Sequence, residues 1–246
     1  MSDLSDWSRH VYPHGELTQL NERLWVAWGS LPRLPISRNM YVYKLDDGGL
    51  LVFSSVALNE AGMRELDALG PVRLILVPSH FHRMQASAYL ERYPEALVVC
   101  PAAARDHVAQ AVTVHGAAEE VLPKHGVIYH QPAGVKPREG VYEFPLANGH
   151  ALLFCDALFN VPHQPGLSGL FMRLIGSTGF FGVTRIAKTF ILSNRRAYAG
   201  WLEEQSRRSE LQLIGVGHGK TISEACCERL AQASARLSGG AVSRRA

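Results

Sequence analysis

The chain has 246 residues, 47% hydrophobic and 19% charged, with a formal net charge of +3. That length is ample for a sizeable core, and the balance is that of an ordinary soluble globular protein. So weak a charge, with no basic stripe, gives no sign of a nucleic-acid partner. The four cysteines, Cys100, Cys155, Cys226 and Cys227, include no C-x-x-C pair. They favour reduced thiols and a cytoplasmic location over disulfides or a cysteine-built zinc site. Met1–Trp7 shows no basic region followed by an apolar run, so no signal peptide is expected. The longest apolar region, residues 167–192, is interrupted by Arg173, Arg185 and Lys188, so no membrane partner is expected.

Residues 17–28 read as an irregular entry followed by a strand. Met40–Leu45 and Leu50–Ser54 read as short strands, and Asp46-Asp47-Gly48-Gly49 between them is a strong turn signal. From Asn59 to Leu69 the apolar residues Met63, Leu66 and Leu69 recur at helical spacing, and Gly70 stops the helix. The apolar run at 73–77 reads as a buried strand ended by Pro78, with Ser79 placed to cap the next helix. That helix, over about 84–92, leads to a strand at 96–100 and a helix from Pro101 to about 112. Residues 113–140 read as mostly loop. Residues 141–146 and 150–155 form a hairpin, and Asp156 comes directly after it. A long glycine-containing segment occupies 157–195. A helix at 197–209, a strand at 211–215, Gly217-His218-Gly219 and a helix at about 223–237 complete the pattern. This alternation implies a sheet with helices packed on it. No repeat or linker divides it, so one domain over residues 1–246 is expected, with a disordered tail from about residue 238.

His80-Phe81-His82 stands at the C-terminal end of the strand at 73–77, where loops carry chemistry on a rigid scaffold. On spacing alone, the pair reads equally as two loop histidines or as two imidazoles aimed at one metal ion. Gly215 to Thr221 is not a phosphate loop, because Ile214 stands where the first glycine would have to be. Ser168 lacks the spacing of a nucleophile elbow and reads as a loop serine. Cys155, preceding Asp156 on a strand, should face the opposite way and pack in the core. Residues 166–198 read as an amphipathic helical pair with solvated charges, or as a lid whose cations hold an anionic substrate.

The run His80-Phe81-His82-Arg83-Met84-Gln85 resembles the His-x-His-x-Asp-His motif of the metallo-β-lactamase superfamily, with Met84 and Gln85 in place of the Asp and the last His. The resemblance extends to the hairpin ending at Ser55, to Phe154-Cys155-Asp156 and to the final Gly217-His218-Gly219, across residues 18–235. Ser54–Leu58, Gly70–Pro78 and Asp156–Asn160 resemble an uncharacterised branch of that superfamily more closely. The resemblance implies an α+β, four-layer αββα sandwich. It implies metal donors at His80, His82, Asp156 and His218. The superfamily's middle histidine has no counterpart: His150 reads as an exposed hairpin histidine, and His163 as a loop histidine with the reach to swing in. Thioether and amide are poor ligands for zinc or iron, so at most one tightly bound zinc or iron ion per chain is expected, with none as the alternative. Arg83, Lys220, Arg173 and Arg185 are the candidate contacts to a small, anionic substrate. Two functions are compatible with this pattern: a metal-dependent hydrolase with a reduced mononuclear site, or a non-catalytic member that binds a ligand or partner.

Overall fold

The computed structural model describes residues 7–32, 34–163, 165–174 and 176–239. The expectations of no signal peptide and of a disordered tail fall on residues 1–6 and 240–246, outside the described residues. The chain divides into two compact units, Met1–Tyr129 and His130–Ala246.

The first unit carries a seven-stranded sheet whose spatial order follows the sequence. Its strands are β1 (Thr18–Asn21), β2 (Leu24–Leu31), β3 (Leu34–Lys44), β4 (Leu50–Phe53), β5 (Val72–Leu76), β6 (Leu97–Cys100) and β7 (Gly116–Ala117). The first four pair antiparallel, and β4 to β7 pair parallel. Between β3 and β4 the turn closes with Gly48 at φ +80° and the Asp47 carboxylate accepting from the Gly49 N–H at 2.8 Å. After β4 the chain must cross over, and helix α1 (Glu60–Leu69) does so. Asn59 caps α1 by accepting from the Gly62 N–H at 2.9 Å, a contact that stabilises by roughly 1 kcal/mol. Helix α2 (Ala86–Arg92) makes the next crossover. All four residues of β4 are buried, as a parallel strand covered on both faces requires. Met40, Val52, Ile75 and Val98 pack with Met63, Leu66 and Tyr89 in one core. The polar tips of its large rings are satisfied: Trp7 donates to the Leu58 carbonyl and Tyr89 to the Val56 carbonyl, both at 2.8 Å.

Some boundaries depart from the sequence expectation. β3 begins at Leu34 because Ser37, Arg38 and Asn39 pair with β2 despite their polarity. The helix expected from Pro101 to 112 is a 3₁₀ turn at Ala102–Ala104 and a single turn, α3 (Arg105–Val108). The region expected as loop holds β7, helix α4 (Ala118–Val121), a 3₁₀ turn ended by Gly126, and β8 (Ile128–His130). These pieces are too short for periodicity to announce them.

The second unit is built on β11, β10 and β9, from a sheet ordered β11-β10-β9-β8. The expected hairpin is β9 (Val141–Leu146) with β10 (Gly149–Phe154), and β11 (Leu211–Val216) runs parallel to β10. The long segment after β10 contains α5 (Gly166–Leu174) and α6 (Arg185–Phe190), followed by α7 (Arg195–Ser206) and, after β11, α8 (Cys226–Ser238). Thr184 caps α6 and Asn194 caps α7. Leu152, Phe154, Ile214, Tyr198, Leu202 and Leu230 form the core. The Ser234 hydroxyl ties α8 to α7 through the Ala199 carbonyl at 2.8 Å.

His150, expected to be exposed, is buried on β10. It adjoins a polar cluster in which Arg208 donates to both Glu143 oxygens at 2.6 and 2.7 Å and His130 lies 2.8 Å from the same carboxylate. Burial pushes the Glu143 carboxyl up, but the hydrogen bonds from Arg208 and His130 reverse this and bring it from 4.5 down to about 2. A depressed carboxyl contributes stability that is complete above the unfolded pKa and is lost as pH falls through the folded one. Wild type is therefore expected to lose stability between pH values of about 4.5 and 2. In thermal unfolding against pH, Glu143→Gln should be less stable than wild type at neutral pH and lack that acid-dependent component.

Candidate functional site

In the second unit, strand register brings two of the expected donors together. β10 and β11 are parallel, with Phe154 opposite Val216. Residues two beyond each end are therefore neighbours on the same face. These are Asp156 and His218, both buried, with the imidazole Nε2 3.1 Å from the carboxylate Oδ1. The two glycines around His218 have separate reasons. A Cβ on Gly217 would stand 2.9 Å from the Cys155 carbonyl oxygen, and one on Gly219 would stand 2.1 Å from that of Asn160. Gly219 also holds φ +102°, a conformation that side chains disfavour. The chain on both sides of Asp156 thus presses on the backbone on both sides of His218. Phe159 stacks on the His218 ring at 5.1 Å, 8° from parallel. The Asp156 N–H donates to Glu139 Oε1 at 2.5 Å. Donor atoms of Glu139, Cys155 and Asp156, all buried, lie within 4.8 Å of one another. Cys155 is therefore near the acids, not turned to an exclusively apolar core. Glu139 had no signal in the sequence, because it precedes β9 without a motif.

In the first unit, His80 and His82 follow β5, and Ser54 follows the parallel β4. Ser54 is buried at φ +57°. An L-residue held there is strained by on the order of 1–3 kcal/mol, which the surrounding structure must supply. Its hydroxyl lies 2.8 Å from His82 Nδ1. An oxygen on one ring nitrogen fixes the imidazole and directs the other nitrogen outward, the usual support for a metal-bound histidine. His80 packs against Phe81 and His107, with ring centroids 3.8 and 5.6 Å away. It joins no group of three close donor side chains among the described residues. Ser79 does not cap α2; its hydroxyl accepts from the Phe81 N–H at 3.3 Å within the loop.

Gln85, in the position of the motif's last histidine, is buried and committed elsewhere. Its side-chain oxygen accepts from Arg38, and its amide donates to the His10 carbonyl. The same Arg38 nitrogen donates to the Ser55 carbonyl. Arg38 is only 2% exposed. A guanidinium is always charged, so a permanent cation is bonded to the very side chain that departs from the motif. Met84 is 37% exposed and carries no oxygen or nitrogen donor. The residues present do not fit a second ion at this position.

The four candidate substrate cations are scattered in role. Arg83 donates to the His107 carbonyl and to Gln110 Oε1. Lys220 is exposed, one residue beyond the loop in which Gly219 pairs with Asn160. Arg173 is exposed at the end of α5, and Arg185 opens α6. His163 lies 3.2 Å from the Thr178 hydroxyl, its ring packed over Gly179.

Donor chemistry at Asp156 and His218 suits a zinc or iron ion. With bonds of about 2.0–2.2 Å, two donors of a tetrahedral zinc stand roughly 3.3–3.5 Å apart. The 3.1 Å separation is close to that.

No family model matches the chain, and no curated protein does. Solved structures do. A metallo-β-lactamase from Erythrobacter litoralis is 12% identical, covers 89% of this chain and 96% of its own, and superposes with a TM-score of 0.61. The metallo-β-lactamase FIM-1 from Pseudomonas aeruginosa, in a mono-zinc form, is 11% identical over 93% of this chain and 98% of its own, with a TM-score of 0.59. The metallo-β-lactamase DIM-1 is 14% identical over 91% and 99%, at 0.59. Strand order, the two sheets with their helices and these superpositions agree: the chain has the α+β, αββα-sandwich fold of the metallo-β-lactamases.

Proposed function

We propose that the chain is a metal-dependent hydrolase with one ion per chain, for which Asp156 and His218 are the paired donors and His80 and His82 the donors that the resemblance implies. The observation that carries this reading is the buried Asp156 carboxylate 3.1 Å from the His218 imidazole at the ends of two parallel strands. An imidazole nitrogen and a carboxylate oxygen, both buried and 3.1 Å apart, are a donor pair that one zinc or iron ion could share. A zinc or iron ion there would supply a Lewis acid and a bound water with a pKa near 7. The chain's own residues do the rest. Ser54 orients His82, and Glu139 holds the Asp156 backbone. Phe159 fixes the ring plane of His218. Without a second ion, the leaving group must be stabilised by a protein cation, which favours an anionic substrate. Lys220 is the exposed cation nearest in sequence to His218 and takes that role here. FIM-1, which has this fold, is described in a mono-zinc form, so a single-ion occupancy has a precedent on the scaffold. The Arg38–Gln85 pair favours a second reading, a ligand-binding member that has lost catalysis.

Metal content separates these readings. Protein purified without added metal, then stripped of loosely held ions, should retain about one zinc or iron ion per chain. Asp156→Ala and His218→Ala should lose it. Ser54→Ala should weaken affinity by about 10–100-fold, the usual effect of removing a support for a ligand histidine. Two tightly held ions per chain would contradict the account of Arg38 and Gln85.

Catalysis is read on a panel of neutral and anionic esters with zinc, iron or manganese supplied. Wild type should hydrolyse anionic esters above background, and His82→Ala should not. Lys220→Ala should raise KM for the anionic esters and leave the neutral ones little changed. Equal background rates in wild type and His82→Ala, with metal bound, would leave the ligand-binding reading ahead.

A further inference from the structure

The stretch that runs from the end of β10 into α7 is unlike the rest of the chain. From Ala157 to Leu202 it contains five Arg or Lys (Arg173, Arg185, Lys188, Arg195 and Arg196) and no Asp or Glu. Helix α5 turns its apolar stripe outward. Leu167, Leu170, Phe171 and Leu174, at the i, i+3, i+4, i+7 positions of one face, are between 53% and 86% exposed. On α6, Ile186 and Phe190, four apart, are also exposed. A helix packed on a sheet hides such a stripe and shows its polar side. Here the stripe is exposed, and so is Arg173 on the same helix. Scattered surface leucines need no explanation, but a complete helical stripe does.

A second feature of the same unit also points to an anion. A cavity of about 250 Å³ opens between the segment and α8, lined by Phe180, Val183, Arg185, Lys188, Arg236 and Leu237 among others. Three cations, Arg185, Lys188 and Arg236, thus border one cavity. Burial lowers the Lys188 pKa, and its neighbours Arg195 and Arg185 lower it further.

We propose that α5 and α6 dock the protein on the surface of an anionic phospholipid bilayer, the apolar stripe entering the headgroup boundary and the cavity cations receiving a lipid phosphate. Apolar residues flanked by cations are the composition of interfacial helices, and an anionic leaflet attracts such cations. Helix α5 has nine residues, far short of the roughly 20 that a span needs, so it would lie along the interface. Among the described residues, no helix is long and apolar enough to cross a membrane. The expectation of no membrane partner rests on the absence of a span and does not bear on surface docking. A second copy of the chain is the weaker occupant, because two faces carrying only cations repel each other.

The test is co-sedimentation of the full chain with phosphatidylcholine vesicles and with vesicles that also contain phosphatidylserine. Wild type should pellet with the phosphatidylserine vesicles, stay in solution with phosphatidylcholine alone, and be released by added salt. Leu170→Glu/Phe171→Glu should stay in solution with both. Arg185→Ala/Lys188→Ala should reduce partitioning by roughly tenfold or more, since each cation near an anionic surface adds on the order of 1 kcal/mol. All four positions are partly or fully exposed, and unchanged circular dichroism and melting would show that the variants fold. Wild type left in solution with both vesicle types, or equal pelleting with both, would overturn the proposal. So would a dimer in light scattering that Leu170→Glu/Phe171→Glu dissociates, with no vesicle binding by wild type.

Discussion

The parallel pairing of β10 with β11 is the constraint on which the second unit's chemistry depends. Register is all-or-none in a sheet: a slip of one residue sends every side chain to the other face. With Phe154 opposite Val216, the two chain continuations leave the sheet side by side, and Asp156 meets His218 without any help from a loop. The glycines then remove the only obstacle. Gly217 lets one continuation close on the Cys155 backbone, and Gly219 lets it close again on Asn160. The motif Gly-His-Gly is thus read most simply as a packing requirement on both sides of one imidazole. The first unit repeats the scheme with β4 and β5, also parallel, whose ends deliver Ser54 and the two histidines. In open sheets with parallel strands, the carboxyl ends are where ligands bind, because side chains from adjacent loops converge there.

Much of this is legible in the sequence, and the boundary of legibility has a physical form. The buried strands β4, β5 and β10 announce themselves as apolar runs, and the ends of β5 and β10 mark His80, His82 and Asp156. The turn at Asp46–Gly49 and the stop at Gly70 are legible because only certain backbones tolerate them. What stays hidden depends on partners distant in sequence. Arg38 carries no local signal, because its partner Gln85 is 47 residues away. Ser54 reads as the end of a strand, and nothing local announces its φ of +57° or its contact with His82. Glu139 lies in a stretch that reads as loop, yet it accepts from the Asp156 N–H. His150 looks exposed because it opens a strand beside a turn, but the strand is central in its sheet and covered. In each case local propensity gives way to tertiary placement.

The departure from the motif at Gln85 is better understood as a replacement of charge than as a loss of it. Where the motif's last histidine would help hold a dication, this chain carries an amide bonded to a guanidinium that is 2% exposed. Arginine cannot shed its proton to escape burial, so that positive charge is permanent. Two unit charges about 4 Å apart interact by roughly 4 kcal/mol at an effective dielectric constant near 20, and a dication doubles the figure. An ion brought close to Gln85 would be opposed by the like charge of Arg38, and neither Met84 nor Gln85 would bind it well. The amide suits the guanidinium, because its oxygen accepts from Arg38 while its nitrogen is turned to the His10 carbonyl. Arg38 and Gln85 are consequently a matched pair: replacing one alone would leave either a buried guanidinium with one acceptor fewer or an amide with one donor fewer. Both partners are buried and hydrogen-bonded to each other.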